Sequence, residues 1–231
     1  MIVNGIANPK SCAVDKSMFE AQGPLWHKKD RKKGVVPANL RNVDTDSEWG
    51  YSKYRGWIQG YAIHLLCSAT PGFAPVPLDA CATTANVSEN GVFEPMIEHL
   101  HPDTKYIVAD SGYDDGKLAD KCGLRKNGKY ITRRLVVPME KRKHTTPKRL
   151  PNIRFFKSKR GQRLFRLRKI TVEPMFDILK SLFNPEPVWM KGKRNVQPLL
   201  LLSVLVYQLL LLFNFVNGRP VSHVKYILDG V

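Results

Sequence analysis

KYIVADSGYDD, the sequence of residues 105–115, contains a short apolar run that ends at an acid, Asp110, and is followed by Ser111 and Gly112. An apolar run of this length, bounded by turn-forming residues, predicts a buried strand, which we place at Lys105–Asp110. Burying a carboxylate costs free energy unless a partner offsets the lost hydration. Asp110 is therefore a candidate functional residue at the end of a strand.

A second apolar run, Lys10–Phe19 (KSCAVDKSMF), also carries a single acid, Asp15, and predicts a buried strand with a carboxylate at its end. The polar stretch 20–55 predicts a long loop, of the kind that in compact domains is often functional. Further strands are predicted at Trp57–Cys67, Pro75–Thr84 and Ile131–Val137, and helices at Ser88–Leu100 and Asp114–Cys122. This order predicts an α/β fold, a mixed sheet flanked by helices.

The C-terminal half predicts helices after a basic stretch. Residues 138–170 are rich in Lys, Arg and Pro, and predict an exposed basic connection, most clearly at 138–160. A helix is expected to begin near Thr171, a natural N-cap, with Pro174 tolerated in its first turn. The third candidate acid, Glu173, would then lie in that first turn.

The charge of the chain is strongly positive and unevenly distributed. The 231 residues carry a formal net charge of +17, and the segment from Lys117 to Lys169 holds 20 Lys and Arg against two acids. Such a basic segment predicts a surface that binds a polyanion. A solvated tail is the alternative, but large apolar side chains such as Phe155 and Phe165 lie among the basic ones. They favour an ordered surface that faces nucleic acid.

One apolar segment allows two interpretations. Leu199–Val216 is nearly all apolar, and its length would span a bilayer. Tyr207, Gln208 and Asn214 in its second half, and the lack of a second such segment, favour the central helix of a soluble core, which we place at 198–217.

The cysteines bear on the cellular location. Cys12, Cys67, Cys81 and Cys122 form neither a CxxC pair nor a zinc-like spacing with the histidines, so we interpret them as buried apolar residues. The N-terminus lacks the order of charged and apolar residues typical of a signal peptide. These features predict a cytoplasmic, nucleoid-associated protein. A basic protein anchored in the membrane by Leu199–Val216 is the alternative.

Asp15, Asp110 and Glu173 share a chemical logic. Mg²⁺ takes carboxylate oxygens as ligands and keeps other positions for water and phosphate. Two such ions about 4 Å apart can activate a nucleophile and stabilise a leaving oxygen in phosphodiester transfer. A strand-terminal Asp is also a common turn former or helix cap, so each acid alone is weak support. The three together, beside the basic segment, predict a metal-dependent site that acts on nucleic acid.

Several motifs in order carry a family resemblance. VADSGYDD (108–115), followed about sixty residues later by RKITVEPMFDILK (168–180), resembles the DDE transposases of bacterial insertion sequences, in the insertion-sequence-four-like group. In that group, a strand ends in the second catalytic Asp before a Gly-Tyr, and a later helix carries Val-Glu with a Lys seven residues on. The similarity extends over Cys12–Asn217 through CAVDKSMFEAQG, DTDSEWGYS and GWIQGYAIHLLC.

The resemblance implies a ribonuclease-H-like catalytic domain over residues 1–231, with Asp15, Asp110 and Glu173 as metal ligands. It implies Mg²⁺, with Mn²⁺ as the possible substitute, and double-stranded DNA as the partner, at the transposon ends and at the target. It implies no small-molecule substrate, and cutting two ends in concert would favour a homodimer on DNA. Lys180 would lie two turns after Glu173 and contact a DNA phosphate; a solvent-facing lysine is the alternative.

Two departures from the family pattern bear on activity. The family commonly has a Tyr and an Arg seven and four residues before the Glu, whereas this chain has Arg166 and Lys169 there, with Phe165 and Arg168 each displaced by one. We expect a cationic role to pass to Arg168 or Lys169. Family members usually have an N-terminal DNA-binding region, and we expect this chain to lack one because it begins fourteen residues before Asp15. An inactive remnant that only binds DNA is therefore an alternative.

Two further features have local interpretations. WHKKDRKK, residues 26–33, combines Trp26 with basic residues that include Lys28 and Lys29. This combination predicts stacking on a frayed base and phosphate contacts, with a solvated loop as the alternative. His64 lies in a strand-like run, and we expect it to be a core histidine and not a ligand.

Overall fold

The computed structural model describes Ile2 and residues 5–123, 133–139, 150–184 and 186–228. Six strands within these ranges form one mixed sheet. The strands are β1 (Ser11–Glu20), β2 (Glu48–Ser52), β3 (Gly56–Ser68), β4 (Pro77–Thr84), β5 (Tyr106–Val108) and β6 (Arg134–Val136). Their order is β2-β3-β1-β5-β6, and β4 also pairs with β3.

Helices follow and flank these strands. They are α1 (Lys28–Lys32), α2 (Glu89–Met96), α3 (Gly116–Gly123), α4 (Leu150–Lys157), α5 (Lys159–Phe165), α6 (Leu167–Ile178), α7 (Lys193–Val216) and α8 (Lys225–Leu228). Short 3₁₀ turns lie at Ile97–His99 and Ser111–Tyr113, and a π-helical turn at Leu179–Phe183 continues α6.

The central strand of the sheet is β1, which is antiparallel to β3 and parallel to β5. The strand predicted at Lys10–Phe19 is confirmed, but the expectation that the Asp15 carboxylate lies at its end was wrong. The strand continues to Glu20, because Lys16 to Glu20 stay paired with His64 to Gly60 of β3. Asp15 therefore lies in the middle of the most central strand, where its carboxylate is 9% exposed.

The side chains of β1 alternate between two apolar clusters. Ala13 and Phe19 belong to a core that includes buried residues of α6 and α7. Cys12 and Val14 belong to a second core, on the opposite face, that includes residues of α2 and α3. Since successive strand residues point to opposite faces, the sheet is covered by helices on both sides. This confirms the predicted α/β fold, a ribonuclease-H-like mixed sheet flanked by helices.

Residues 20–55, predicted to be one long loop, contain α1 and β2. Their order comes from buried polar contacts that have no periodic sequence signal. Asp44, which is 2% exposed, accepts hydrogen bonds from the Tyr61 hydroxyl (2.8 Å) and the Gly192 amide (3.1 Å). The Trp26 amide donates to Gln59 Oε1 (2.6 Å) and ties the segment to β3.

The helix predicted to begin at Thr171 begins at Leu167, so that Glu173 lies in its second turn. Thr171 is not an N-cap, because its hydroxyl donates back to the Leu167 carbonyl (2.7 Å), as Thr does inside helices. The predicted exposed connection also differs, since α4 and α5 occupy residues 150–165. Residues 140–149 of that connection, and the predicted strand start at 131–132, lie outside the described residues.

The apolar helix α7 begins at Lys193, five residues before the predicted Pro198. One face, with Leu200, Tyr207 and Leu211, is buried in the first core. The opposite face is apolar and exposed, with Leu205 and Leu209 at 50% and 54% exposure. Within the described part of the chain, α7 is the one helix whose length and composition would suit a membrane span. The predicted core helix is therefore buried on one side only.

The smaller expectations for buried residues are confirmed. His64 is 1% exposed, and its Nε2 lies 3.1 Å from the Thr83 hydroxyl. Burial, and then the charge of Lys16, lower its pKa to about 3, so it is a neutral core residue. All four cysteines are free; three are buried, and Cys81 is half-buried.

Candidate active site

The first two candidate acids come together through the register of two parallel strands. Ala13 of β1 lies opposite Val108 of β5. Asp15 lies two residues after Ala13, and Asp110 lies two residues after Val108. Because side chains alternate along a strand, both acids face the same side of the sheet as this pair. Asp110 adds its charge to the causes that raise the pKa of Asp15, as expected for neighbouring carboxylates.

Asp15 is the most buried of the three acids. Its Oδ2 accepts a hydrogen bond from Arg168 Nη1, and its Oδ1 accepts from the Lys16 amide (2.9 Å). Burial raises the pKa of Asp15 to about 6, although the charge of Arg168 and these hydrogen bonds lower it. Desolvation is therefore the larger effect, and the site stores an imperfectly compensated negative charge.

Asp110 lies two residues past the end of β5 and caps the turn Ser111–Tyr113. Its Oδ1 accepts a hydrogen bond from the Gly112 amide (2.8 Å). The capping role that is common for strand-terminal Asp is thus present here. The other oxygen, Oδ2, has no hydrogen bond within the described ranges, and Asp110 lines the same cleft as Asp15.

Glu173 approaches the same cleft from helix α6. The buried face of α6, with Val172 and Met175, packs on the core side, which leaves Glu173 exposed toward the cleft. Its Oε1 lies 3.1 Å from Arg168 Nη2. One guanidinium therefore contacts both Asp15 and Glu173, and all three candidate acids line one open cleft.

These residues fit a divalent cation in their chemistry. The acids offer only oxygen ligands, the kind that Mg²⁺ and Mn²⁺ prefer. The pKa of the buried Asp15 carboxylate is raised, so the positive charge of Arg168 does not fully offset the burial of this group. Over the described ranges, no group of three His, Cys, Asp or Glu side chains is arranged to hold a metal ion. Arg168 occupies the space between Asp15 and Glu173.

A comparison with protein families matches residues 8–209 to the model described as the transposase DDE domain. The chain belongs to this family. DDE transposases act on DNA and generally use divalent metals, which agrees with a cleft whose candidate metal ligands are all carboxylates. No curated protein and no solved structure matches the chain.

The basic residues before the Glu of this DDE domain divide by role. Arg168, displaced by one position from the family pattern, reaches the acids, whereas Lys169 lies at the rim of the cleft. Arg166 is exposed at the junction of α5 and α6 and does not line the cleft. Phe165, displaced in sequence by one position from the family Tyr, lines the cleft.

Lys180 also lines the cleft, but it is engaged within the protein. Its Nζ donates to the Met18 carbonyl (2.7 Å) and lies 3.1 Å from Glu186 Oε1. Glu186 in turn pairs with Arg55 (2.8 Å). Burial lowers the pKa of Lys180, and the charge of Glu186 opposes this effect. The solvent-facing alternative is wrong; the phosphate contact stays a prediction.

The predicted stacking role of Trp26 is wrong. Trp26 is 7% exposed, and its indole nitrogen donates to the Val35 carbonyl (3.1 Å). The exposed aromatic beside the basic helix α1 is Trp57, whose ring lies 3.0 Å from Lys28 Nζ. Lys29 is exposed on the same helix. The basic and aromatic character predicted for this region is present, with a different tryptophan.

Three residues that were not predicted as site residues surround the acids. Glu89, the first residue of α2, lines the acid cleft and the groove that contains Trp57. Lys16 Nζ is held by the Ala85 and Val87 carbonyls (2.9 and 2.8 Å). Tyr113 is fully buried beneath the turn that follows Asp110. For Glu89, the sequence shows only that it follows Ser88 at the start of a helix, and this pattern indicates a helix cap and not a site.

Proposed function

We propose that the chain is a DNA transposase of the insertion-sequence-four-like group that cleaves phosphodiester bonds at transposon ends and transfers the strands to a target. The observation that carries the proposal is the convergence of Asp15, Asp110 and Glu173 on one cleft of a DDE transposase domain. We propose these three acids as its metal ligands, with Mg²⁺ as the ion and Mn²⁺ as a substitute.

Divalent ions, when bound by such carboxylates, activate the attacking oxygen and stabilise the leaving oxygen of a phosphodiester. The chain itself fixes the acids: β1 and β5 hold two of them in register, and α6 presents Glu173. Arg168, in contact with Asp15 and Glu173, holds these two carboxylates in position. We expect it to shift toward a DNA phosphate when ions take its place, since Arg suits phosphate oxygens.

Double-stranded DNA is the proposed partner, bound as two ends by a homodimer. Basic residues surround the acids on the walls of the cleft: Lys16, Lys53, Arg55, Arg168, Lys169 and Lys180. This distribution would guide a phosphate backbone to the acids and give strongly salt-dependent binding. The groove beside Trp57 shares Lys16 and Glu89 with the cleft, so a strand end could continue into it.

The test is a cleavage and strand-transfer assay with Mg²⁺ on a labelled duplex that carries the DNA flanking the coding sequence. We expect wild-type protein to nick at the end, and Asp110→Ala to lose at least about 100-fold in rate because a metal ligand is gone. DNA affinity should change little. The control is Asp103→Asn, an exposed acid outside the cleft, which should cleave normally.

DNA binding without cleavage would contradict the proposal. If wild-type protein binds the duplex with a steep salt dependence but does not cleave it with Mg²⁺ or Mn²⁺, the chain is the DNA-binding remnant. Such a remnant would keep the contact of Arg168 with Asp15 and Glu173, because the guanidinium would stay permanently in the place of the metal ion.

A further inference from the structure

The acid cleft contains a fourth carboxylate, on a different element from the other three. Glu89 begins α2, after the N-cap Ser88, whose hydroxyl accepts from the Gly91 amide (3.4 Å). The side chain of Glu89 is half-buried and extends against Gly112, where an added Cβ would collide with its Oε2. Gly112 is the residue whose amide Asp110 binds. Glu89 is therefore held next to the Asp110 turn.

Glu89 lacks the cation that a half-buried carboxylate needs. No hydrogen bond and no ion pair to its oxygens exists within the described ranges of the chain. Lys16, whose charge acts on Glu89, uses its ammonium group on the Ala85 and Val87 carbonyls. Asp110 adds negative charge, and Arg168, which acts on Glu89 only weakly, is committed to Asp15 and Glu173. Glu89, Asp110 and Asp15 thus line the same cleft, and the positive charge near them is too small to balance three carboxylates.

A buried hydroxyl supplies an independent indication that something is bound there. Tyr113 is fully buried and packs edge-to-face on Phe93 with ring centroids 5.6 Å apart. Its hydroxyl has no hydrogen-bond partner in the part of the chain that the structure describes. Tyr113 ends the turn that Asp110 caps and follows Gly112, against which the Glu89 carboxylate extends. Burial, and then the charges of Asp15, Glu89 and Asp110, raise the pKa of this hydroxyl. A buried polar group of this kind normally has a partner.

We propose that Glu89 is a fourth carboxylate of the active site and helps to hold a divalent cation beside Asp110. The proposal rests on the proposed function, because it assigns a further ligand to the same metal site. The unpartnered Tyr113 hydroxyl would then help to orient the groups that hold the ion, in the way that outer groups orient metal ligands. Glu173, on the far side of Arg168, would serve the second ion.

The experiment counts bound Mn²⁺ on the full chain without DNA, from the electron paramagnetic resonance signal of the free ion. Glu89→Gln keeps the shape of the side chain and removes its charge. We expect this variant to bind Mn²⁺ about 10- to 100-fold more weakly than wild type, the range seen when a supporting ligand is lost. The control is Glu94→Gln on the same helix, which loses only an exposed pair with Lys121 and should bind as wild type.

The outcomes separate the inference from the proposed function. If Glu89→Gln binds Mn²⁺ as wild type does, Glu89 is not a ligand, even where Asp110→Ala abolishes cleavage. If wild-type protein binds Mn²⁺ in a way that depends on Glu89 but cleaves no DNA, the inference stands and the transposase activity fails. If wild-type protein binds no Mn²⁺, both fail. Glu89→Asp, one methylene shorter, should show an intermediate loss and guards against a folding defect in the first variant.

Discussion

The charge of Asp15 should make the protein less stable at neutral pH in the absence of metal. Burial raises its pKa from 3.8 to about 6. Because the folded pKa lies above the unfolded value, the folded state holds the proton more tightly than the unfolded chain. This stabilisation is complete below pH about 4 and is lost as the pH rises through about 6. At about 1.36 kcal/mol per pKa unit, the loss is about 3 kcal/mol.

Asp15→Asn isolates this contribution, because an amide cannot ionise. In urea unfolding with EDTA, we expect wild type and variant to have equal free energies of unfolding near pH 4. At pH 8 the variant should be more stable by about 1 to 3 kcal/mol. The lower bound arises because Arg168 loses one anionic partner and keeps only the half-exposed Glu173, a pair of small value.

Two controls complete the experiment. Asp177→Asn removes an exposed acid of α6, the helix that carries Arg168 and Glu173. The pair of Asp177 with Lys225 should contribute less than about 1 kcal/mol at any pH. Saturating Mg²⁺ should remove the pH-dependent loss of wild type, since the ion binds the ionised carboxylate. Parallel profiles of wild type and Asp15→Asn in EDTA from pH 4 to 8 would refute the reasoning, because Arg168 would then compensate Asp15 fully.

Two predictions concern the DNA-binding surface. Trp57→Ala should weaken binding to a duplex with a frayed end by about tenfold or more, since each stacked base contributes about 1–3 kcal/mol. It should weaken binding to a blunt duplex less. Fluorescence anisotropy measures both affinities, and the control is Trp189→Ala, an exposed tryptophan outside both grooves. Equal losses for both duplexes would argue against stacking. Lys180→Gln should lower the slope of log affinity against log salt by about one, as one phosphate contact is lost. An unchanged slope would mean that Lys180 only anchors the Met18 carbonyl and Glu186.

The sequence was sufficient to find the strands that carry the site. Apolar runs that each contain one acid identified Asp15 and Asp110 as candidates, because a lone charge in such a run is costly without a partner. The sequence did not show that the two lie side by side, since that depends on the parallel register of Ala13 with Val108. The sequence placed Asp15 within the run Lys10–Phe19 but did not show that β1 stays paired beyond this acid, because the pairing partners of Lys16 to Glu20 lie about forty residues away.

The cation and the fourth carboxylate of the site could not be predicted. Arg168 was one of several basic residues around the family position, and only the orientation of α6 determines which of them reaches Asp15. Glu89 looked like an ordinary first-turn acid after Ser88, and its role depends on the close approach of Gly112 from another element. The start of α6 was missed because Thr171 has the side chain of an N-cap but uses it within the helix.

The helix α7 shows why length and hydropathy alone do not decide between a core helix and a membrane span. Its inner face is part of the first core, and two polar side chains bind it to β4: Gln197 Nε2 donates to the Ala82 carbonyl (2.7 Å) and Gln208 Nε2 to the Pro77 carbonyl (2.8 Å). A membrane placement would break both bonds and uncover the sheet face that β3 and β4 present to α7. A membrane placement would give up the buried core, whereas the outer face of α7 is apolar in either case, so the packing favours α7 as part of the folded domain.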